Sequence, residues 1–222
     1  MLNQLYILPI LLFSVVIHEI SHGWMALRLG DPTAKQMGRL TLNPIPHIDP
    51  IGSVAVPLFS LFVAGSVFIA WAKPVPVNPL NFRNYRRDDI LVSIVGPFSN
   101  IALAFGCTLM VMLISAVDQW IVGLGVPYAA EFTTFAVKMF YAGMYLNIVL
   151  AVFNMIPIPP LDGSHVVASL LPDEVGEQYR RIGFLGIFLI LFIMRYEPFR
   201  VLLWGVINTL AFPFNAMIHV FG

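Results

Sequence analysis

The stretch "VVIHEISHGW", residues 15–24, sets His18, Glu19 and His22 inside an apolar run that begins at Leu5. His18 and His22 are four apart and share one helix face. H-E-x-x-H is the pattern in which two imidazoles hold one zinc ion while the glutamate acts on the metal-bound water. The rival is a chance match whose side chains are satisfied by packing. In a soluble helix that rival would weigh heavily. In a membrane span it does not, because ionisable groups in lipid are costly and are functional candidates by default.

Composition agrees with a membrane setting. The 222 residues are 59% hydrophobic and 11% charged, with mean hydropathy +0.84, against about 25% charged in soluble domains. Zero net charge argues against nucleic acid as a partner. The single cysteine, Cys107, excludes an intrachain disulfide and a Cys-rich metal site. No basic n-region or small-residue cleavage site opens the chain, so the first run is expected to be a retained span.

Apolar runs fall at about 4–29, 51–72, 90–117, 131–153, 182–196 and 199–221. A span needs ~20 such residues. The first, third, fourth and last qualify. The run 182–196 is short, is closed by Arg195, Tyr196 and Pro198, and is expected to pair with 199–221 as a hairpin. The expectation is an all-α polytopic membrane protein of about four to six transmembrane helices. It forms one domain over 1–222, with a catalytic core at about 4–171 and a C-terminal hairpin at about 182–221.

The run 51–72 is the ambiguous one. Pro57, Gly65 and "SVFIAW" (66–71) break its helical pattern. "AKPVPVNP" (72–79) must be extended, since each proline lacks a donor and restricts its predecessor. Lys35, Arg39, Lys73, Arg83, Arg86, Arg87, Arg180 and Arg181 sit in loops 29–50, 73–89 and 155–181, whereas loop 118–130 has no Lys or Arg. A full crossing by 51–72 would split the basic loops between two faces, against the positive-inside tendency. A re-entrant β or extended segment near the active site puts them all on the cytoplasmic side. Non-helical backbone at that depth implies a protein-lined cavity.

A catalytic zinc usually takes three protein ligands. The candidate for the third is Asp162 in "FNMIPIPPLDGSHVV" (153–167). Pro157, Pro159 and Pro160 break helix before it, Gly163 frees the backbone beside it, and "HVVASLL" resumes a helical pattern. The rival role is an N-cap for that helix, and the residues alone do not separate the two.

Taken together, "HEISH", "VGPFSN" (95–100) and "NMIPIPPLDG" (154–163) resemble the site-2 protease family of intramembrane zinc metalloproteases. "AKPVPVNP" is similar to that family's extended segment. The likeness runs from about residue 10 to 170 and points to a compact bacterial subgroup without PDZ or CBS domains. It implies one Zn²⁺ per chain held by His18, His22 and Asp162, with Glu19 as catalytic glutamate. It implies that Asn154 positions substrate or stabilises the oxyanion. Expected partners are the lipid bilayer and single-span or signal-peptide-like membrane substrates. The expected location is the bacterial cytoplasmic membrane, with the site nearer the cytoplasmic face.

Other polar residues have two readings each. His47 is either a pocket residue or a solvated loop histidine. His165, three past Asp162, either orients Asp162 or is interfacial. Asn100 needs a partner in lipid, as helix glue or as a contact to the active-site helix. Asp49 reads as a turn or N-cap residue and His219 as interfacial. Gly96 with Ser99, and Ala102 with Gly106, are small enough for close helix contact. "VFIAWAKPVPV" (67–77), with Val75 and Val77, is the candidate edge for strand addition by an extended substrate. The expected activity is peptide-bond hydrolysis in or near transmembrane segments, as in regulated intramembrane proteolysis, by a Glu19-activated, zinc-bound water. The alternatives are a metal-ion transporter or an inactive membrane binding protein using the same site.

Overall fold

A computed structural model describes residues 7–55, 72–123 and 127–221. Eight α-helices occur in them: α1 (Ile7–Leu29), α2 (Thr33–Gln36), α3 (Tyr85–Gly123), α4 (Ala129–Asn154), α5 (Asp162–Leu170), α6 (Asp173–Arg180), α7 (Gly186–Ile193) and α8 (Glu197–Phe221). There is no β-strand among the described residues. Four helices, α1, α3, α4 and α8, are long and apolar enough to cross a membrane, the lower end of the expected range. The run 182–196 yields a 3₁₀ turn (Gly183–Leu185) and the eight-residue α7. At 1.5 Å per residue α7 is roughly 12 Å long, well short of the ~30 Å hydrocarbon core.

Local chemistry sets the helix ends. α3 starts five residues before its apolar run because Asn84 and Asp88 cap it reciprocally. The Asn84 N–H donates to Asp88 Oδ2 (2.8 Å), and the Arg87 N–H donates to Asn84 Oδ1 (3.4 Å). Pro97 lies inside α3 and has no N–H to give the Ser93 carbonyl; the helix continues through it. α4 ends at Asn154, and the proline-rich 155–161 stretch carries the chain to α5.

Helix directions follow from cross-helix contacts. His22 meets Val92 and His18 meets Asn100, so α1 and α3 are antiparallel. Leu29 and Tyr85 therefore lie at one end of the bundle. Asp31, just past α1, accepts from the Asn78 N–H (2.7 Å) and Asn81 Nδ2 (2.8 Å), just before α3. A single complete crossing between residues 30 and 84 would put these ends on opposite faces; the connection instead leaves and returns at one end. Residues 56–71, with the expected re-entrant dip and "SVFIAW", lie outside the described residues. α4 runs antiparallel to α3 in turn and returns Asn154 to the same end, where α5 begins.

Met144 and Ile148 of α4 are the centre of the core, packed with Ala104 and Cys107 of α3, Ile10 of α1 and Leu203, Ile207 and Ala211 of α8. Leu12, Phe13, Phe98, Leu113 and Phe212 point outward, as suits helices solvated by acyl chains. Gly106 faces open space and Ala102 is exposed, so that small pair makes no close helix contact, contrary to the expectation. The positions merely lie on the outward face of α3.

Asp31 is fully buried and ties α1 to the extended segment. It accepts from the Thr33 N–H and hydroxyl as well as from Asn78 and Asn81. Burial alone would raise its pKa; the bonds from Thr33, Asn81 and Asn78 outweigh burial and hold it below the ordinary carboxylate value. A depressed folded-state pKa stabilises fully above the unfolded value of about 3.9 and fades as pH falls through the folded value. Asp31→Ala should cost about 2–3 kcal/mol at neutral pH, and Asp31→Asn should flatten the loss of stability below about pH 4. Thermal unfolding in micelles across pH checks both.

Candidate metal centre

α1 carries His18 and His22 one turn apart, on its buried side. His22 lies seven residues, roughly 10 Å, from the helix end. α3 accommodates them because residue 96 is glycine. A Cβ there would sit 2.4 Å from His22 Nε2 and 2.8 Å from His18 Cε1, closer than side chains ever approach. α5 brings the third group. Asp162 is the first residue of that helix, its N-cap position is Leu161, and no side-chain cap bond forms; the capping role is thus not the one it plays. Gly163 lets α5 start hard against the end of α4, since a Cβ would lie 2.3 Å from the Met155 carbonyl oxygen.

The result is a convergence of three ligand atoms. His18 Nε2 is 3.1 Å from His22 Nε2, and Asp162 Oδ2 is 3.2 and 3.4 Å from the two. Of the described residues, this is the His/Cys/Asp/Glu group placed to hold a metal ion.

Protons can be assigned from the outer partners. His22 Nδ1 lies 2.7 Å from the Val92 carbonyl oxygen, which only accepts, so Nδ1 carries the hydrogen. His18 Nδ1 lies 2.6 Å from Asn100 Oδ1, also an acceptor. Each neutral ring then presents a bare Nε2, and Asp162 Oδ2 is buried with no hydrogen-bond donor. Three acceptors facing one another repel unless positive charge lies between them, and one proton can join only two of the three. A two-nitrogen, one-oxygen set is a donor set used by catalytic zinc, which keeps a further position open. These residues therefore fit the ion.

Glu19, half-buried on the same turn, accepts from the Val75 N–H at 2.7 Å. This corrects the reading of 73–77 as a free edge offering its non-proline donors. Val75 donates to Glu19, Lys73 to the His47 carbonyl and Asn78 to Asp31. Pro74 and Pro76 have no N–H, so among the described residues Val77 is the one with an unpartnered donor there. The upper part of the candidate edge, 67–71, lies outside the described residues.

The remaining expectations separate. Asn100 touches His18. Asn154 donates to the Leu150 carbonyl of its own helix and makes no hydrogen bond to His18, His22 or Asp162. His47 is not a solvated loop residue: it is buried, its ring nitrogen bonds the Thr41 carbonyl, and its own carbonyl receives the Lys73 N–H. It anchors the extended segment and stands outside the ligand cluster. His165 is half exposed and faces Asp89, 3.8 Å away, rather than Asp162. Asp89 is instead bound by Arg180 (2.9 Å) and Ser169 (2.6 Å). Two buried residues not anticipated are Asn147 and Ser14, bonded to each other and, through Asn147, to Asn100. A signal existed for both: an amide in mid-span needs a partner, and Ser14 is four residues from His18, on the same face.

Comparison with known proteins bears on the chain as a whole. The family described as peptidase family M50 matches residues 6–194. YwhC of Bacillus subtilis, assigned by name as a zinc metalloprotease, is 38% identical over 207 residues, covering 92% of this chain and 86% of that protein. Rip2 of Mycolicibacterium smegmatis, similarly named, is 29% identical over 167 residues, covering 73% of this chain and 56% of its own. Rip2 of Mycobacterium tuberculosis is 30% identical over 184 residues, covering 82% and 62%. The chain thus spans less than two thirds of the Rip2 proteins. No solved structure matches.

The packing at Gly96 makes a contrast that zinc analysis can check. Gly96→Ala should push the imidazoles apart and lower zinc affinity at least ~10-fold, as displaced ligand support does. Gly106→Ala, made into open space, should leave metal content unchanged.

Proposed function

Because the chain belongs to peptidase family M50, the site-2 protease family, we propose that it hydrolyses peptide bonds in or near the transmembrane segments of other membrane proteins, with zinc held by His18, His22 and Asp162. The observation that carries this reading is the convergence of those three acceptors, two of them on a helix long enough to span, with Glu19 next to His18 on that helix. When bound, zinc supplies a Lewis acid that lowers the pKa of water toward ~7 and polarises a carbonyl.

The chain's own residues do the rest. Glu19 takes a proton from the attacking water and later delivers it to the leaving amine. Its bond from the Val75 N–H fixes where that carboxylate sits. Asn154 serves the oxyanion by exchanging its present bond to Leu150 for one to substrate. A helical substrate hides its carbonyls in backbone bonds, so it must arrive extended. With most donors of 73–78 engaged and the Lys73 carbonyl held by Arg39, strand addition uses the remaining carbonyls of the segment and the Val77 N–H. The basic loops 29–50, 73–89 and 155–181 support a cytoplasmic side for this end of the bundle, from which water reaches the ligands over a short path. Single-span proteins and signal-peptide-like remnants are the substrate class that such a site fits.

A metal-ion carrier would use the same three ligands but has no need of a base between two histidines. Glu19→Gln separates the two. Cleavage of a reconstituted single-span substrate should fall by at least ~10²-fold, while zinc stoichiometry stays that of the parent protein. Continued cleavage in the mutant overturns the protease mechanism, and metal-dependent uptake into proteoliposomes would establish the carrier.

A further inference from the structure

His18 is tied to a hydrogen-bonded chain that runs away from the metal centre through three helices. His18 Nδ1 meets Asn100 Oδ1 at 2.6 Å, Asn100 Nδ2 donates to Asn147 Oδ1 at 2.9 Å, and Asn147 Nδ2 donates to both Ser14 Oγ and the Gly143 carbonyl at 2.9 Å. Ser14, Asn100 and Asn147 are fully buried, so no water can substitute for a lost partner.

The order of donors in this chain is forced. The Gly143 carbonyl only accepts, so Asn147 must turn Nδ2 toward it. That leaves Asn147 Oδ1 facing Asn100, which must answer with Nδ2 and so presents Oδ1 to His18. His18 has one option left: hydrogen on Nδ1, bare lone pair on Nε2. His22 reaches the same state by a shorter route, through the Val92 backbone carbonyl, which no side-chain substitution can invert. The two ligands are therefore set by different devices, one main-chain and one a side-chain relay.

We propose that Asn147 is a positioning residue for the metal centre: anchored on the Gly143 carbonyl, it fixes through Asn100 which nitrogen of His18 is free to bind zinc. This rests on the reading of His18 as a zinc ligand. Buried amides that merely hold helices together need not end on a ligand, nor carry a donor order that suits metal binding.

The test uses the full chain in detergent, with zinc affinity measured by competition against a chelator. The protonated nitrogen of His18 is read by ¹⁵N NMR on metal-free protein. Asn147→Leu frees Asn100 to invert; His18 should then populate the Nε2–H form, and zinc affinity should fall ~10–100-fold, as loss of a ligand's outer partner does. Asn147→Asp keeps an acceptor toward Asn100 in either protonation state. It should preserve the Nδ1–H form and bind zinc far more tightly than Asn147→Leu. Equal affinities for the two variants, or an unchanged His18 tautomer in Asn147→Leu, overturn the relay. If the Leu variant does not fold, the parent's spectrum still decides, since His18 found as Nε2–H contradicts the forced order. A parent protein that loses no zinc on His18→Ala would instead overturn the ligand reading itself.

Discussion

Everything near the site is organised around one electrostatic problem: three acceptor atoms, two imidazole nitrogens and a carboxylate oxygen, face each other within 3.1–3.4 Å away from bulk water. In a low-dielectric setting such a cluster is repulsive without a cation and strongly attractive with one. The fold supplies the geometry at some cost. Gly96 and Gly163 give up side chains so that α3 and α5 can approach. The proline-rich stretch ends α4 where the carboxylate is needed. Each feature weakens a helix locally, and together they bring ligands from residues 18, 22 and 162 to one point.

How much of this was legible in the chain depends on how far each interaction reaches. His18, Glu19 and His22 were legible because helix periodicity alone places them together. Asp162 stood out by its flanking prolines and glycine, but its partner choice was fixed by the likeness of "NMIPIPPLDG" to a known family. His165 shows the limit of that reasoning. Being three residues from Asp162 puts it on a shared helix face, yet the neighbour on that face is Asp89 of α3. Asn147 and Ser14 are bonded across 133 positions, a pairing that depends on helix register and that no local pattern encodes. Asp31 was passed over for the same reason: its partners at 78 and 81 come from the far side of a long connection.

Topology rests on a different kind of argument. Loop charges favoured a re-entrant 51–72 over a full crossing, a statement about how the chain sits in a field. The hydrogen bonds of His22 to Val92, His18 to Asn100 and Asp31 to Asn78 bring the two ends of that connection together, while residues 56–71 between them lie outside the described residues. The two routes share no assumption, so their agreement places the ligands, the extended segment and the basic loops at one end of the bundle.

That shared end makes Glu19 and the extended segment a single mechanical unit. Alternate prolines at 74 and 76 strip the segment of donors, and the remaining ones go to fixed points: Lys73 to His47, Val75 to Glu19, Asn78 to Asp31. Glu19 lies on α1 and Asp31 just past its end, so the segment is clasped at two places along one side of the helix. A strand with free donors could slide in register against its neighbour; this one cannot, because each bond ends on a different kind of group. Moving the segment would move the carboxylate of Glu19 with it. Under the proposed function, a substrate laid along the segment would be referenced to Glu19 by covalent geometry plus one 2.7 Å hydrogen bond. That is the spatial precision proximity effects demand of a proton-transfer group.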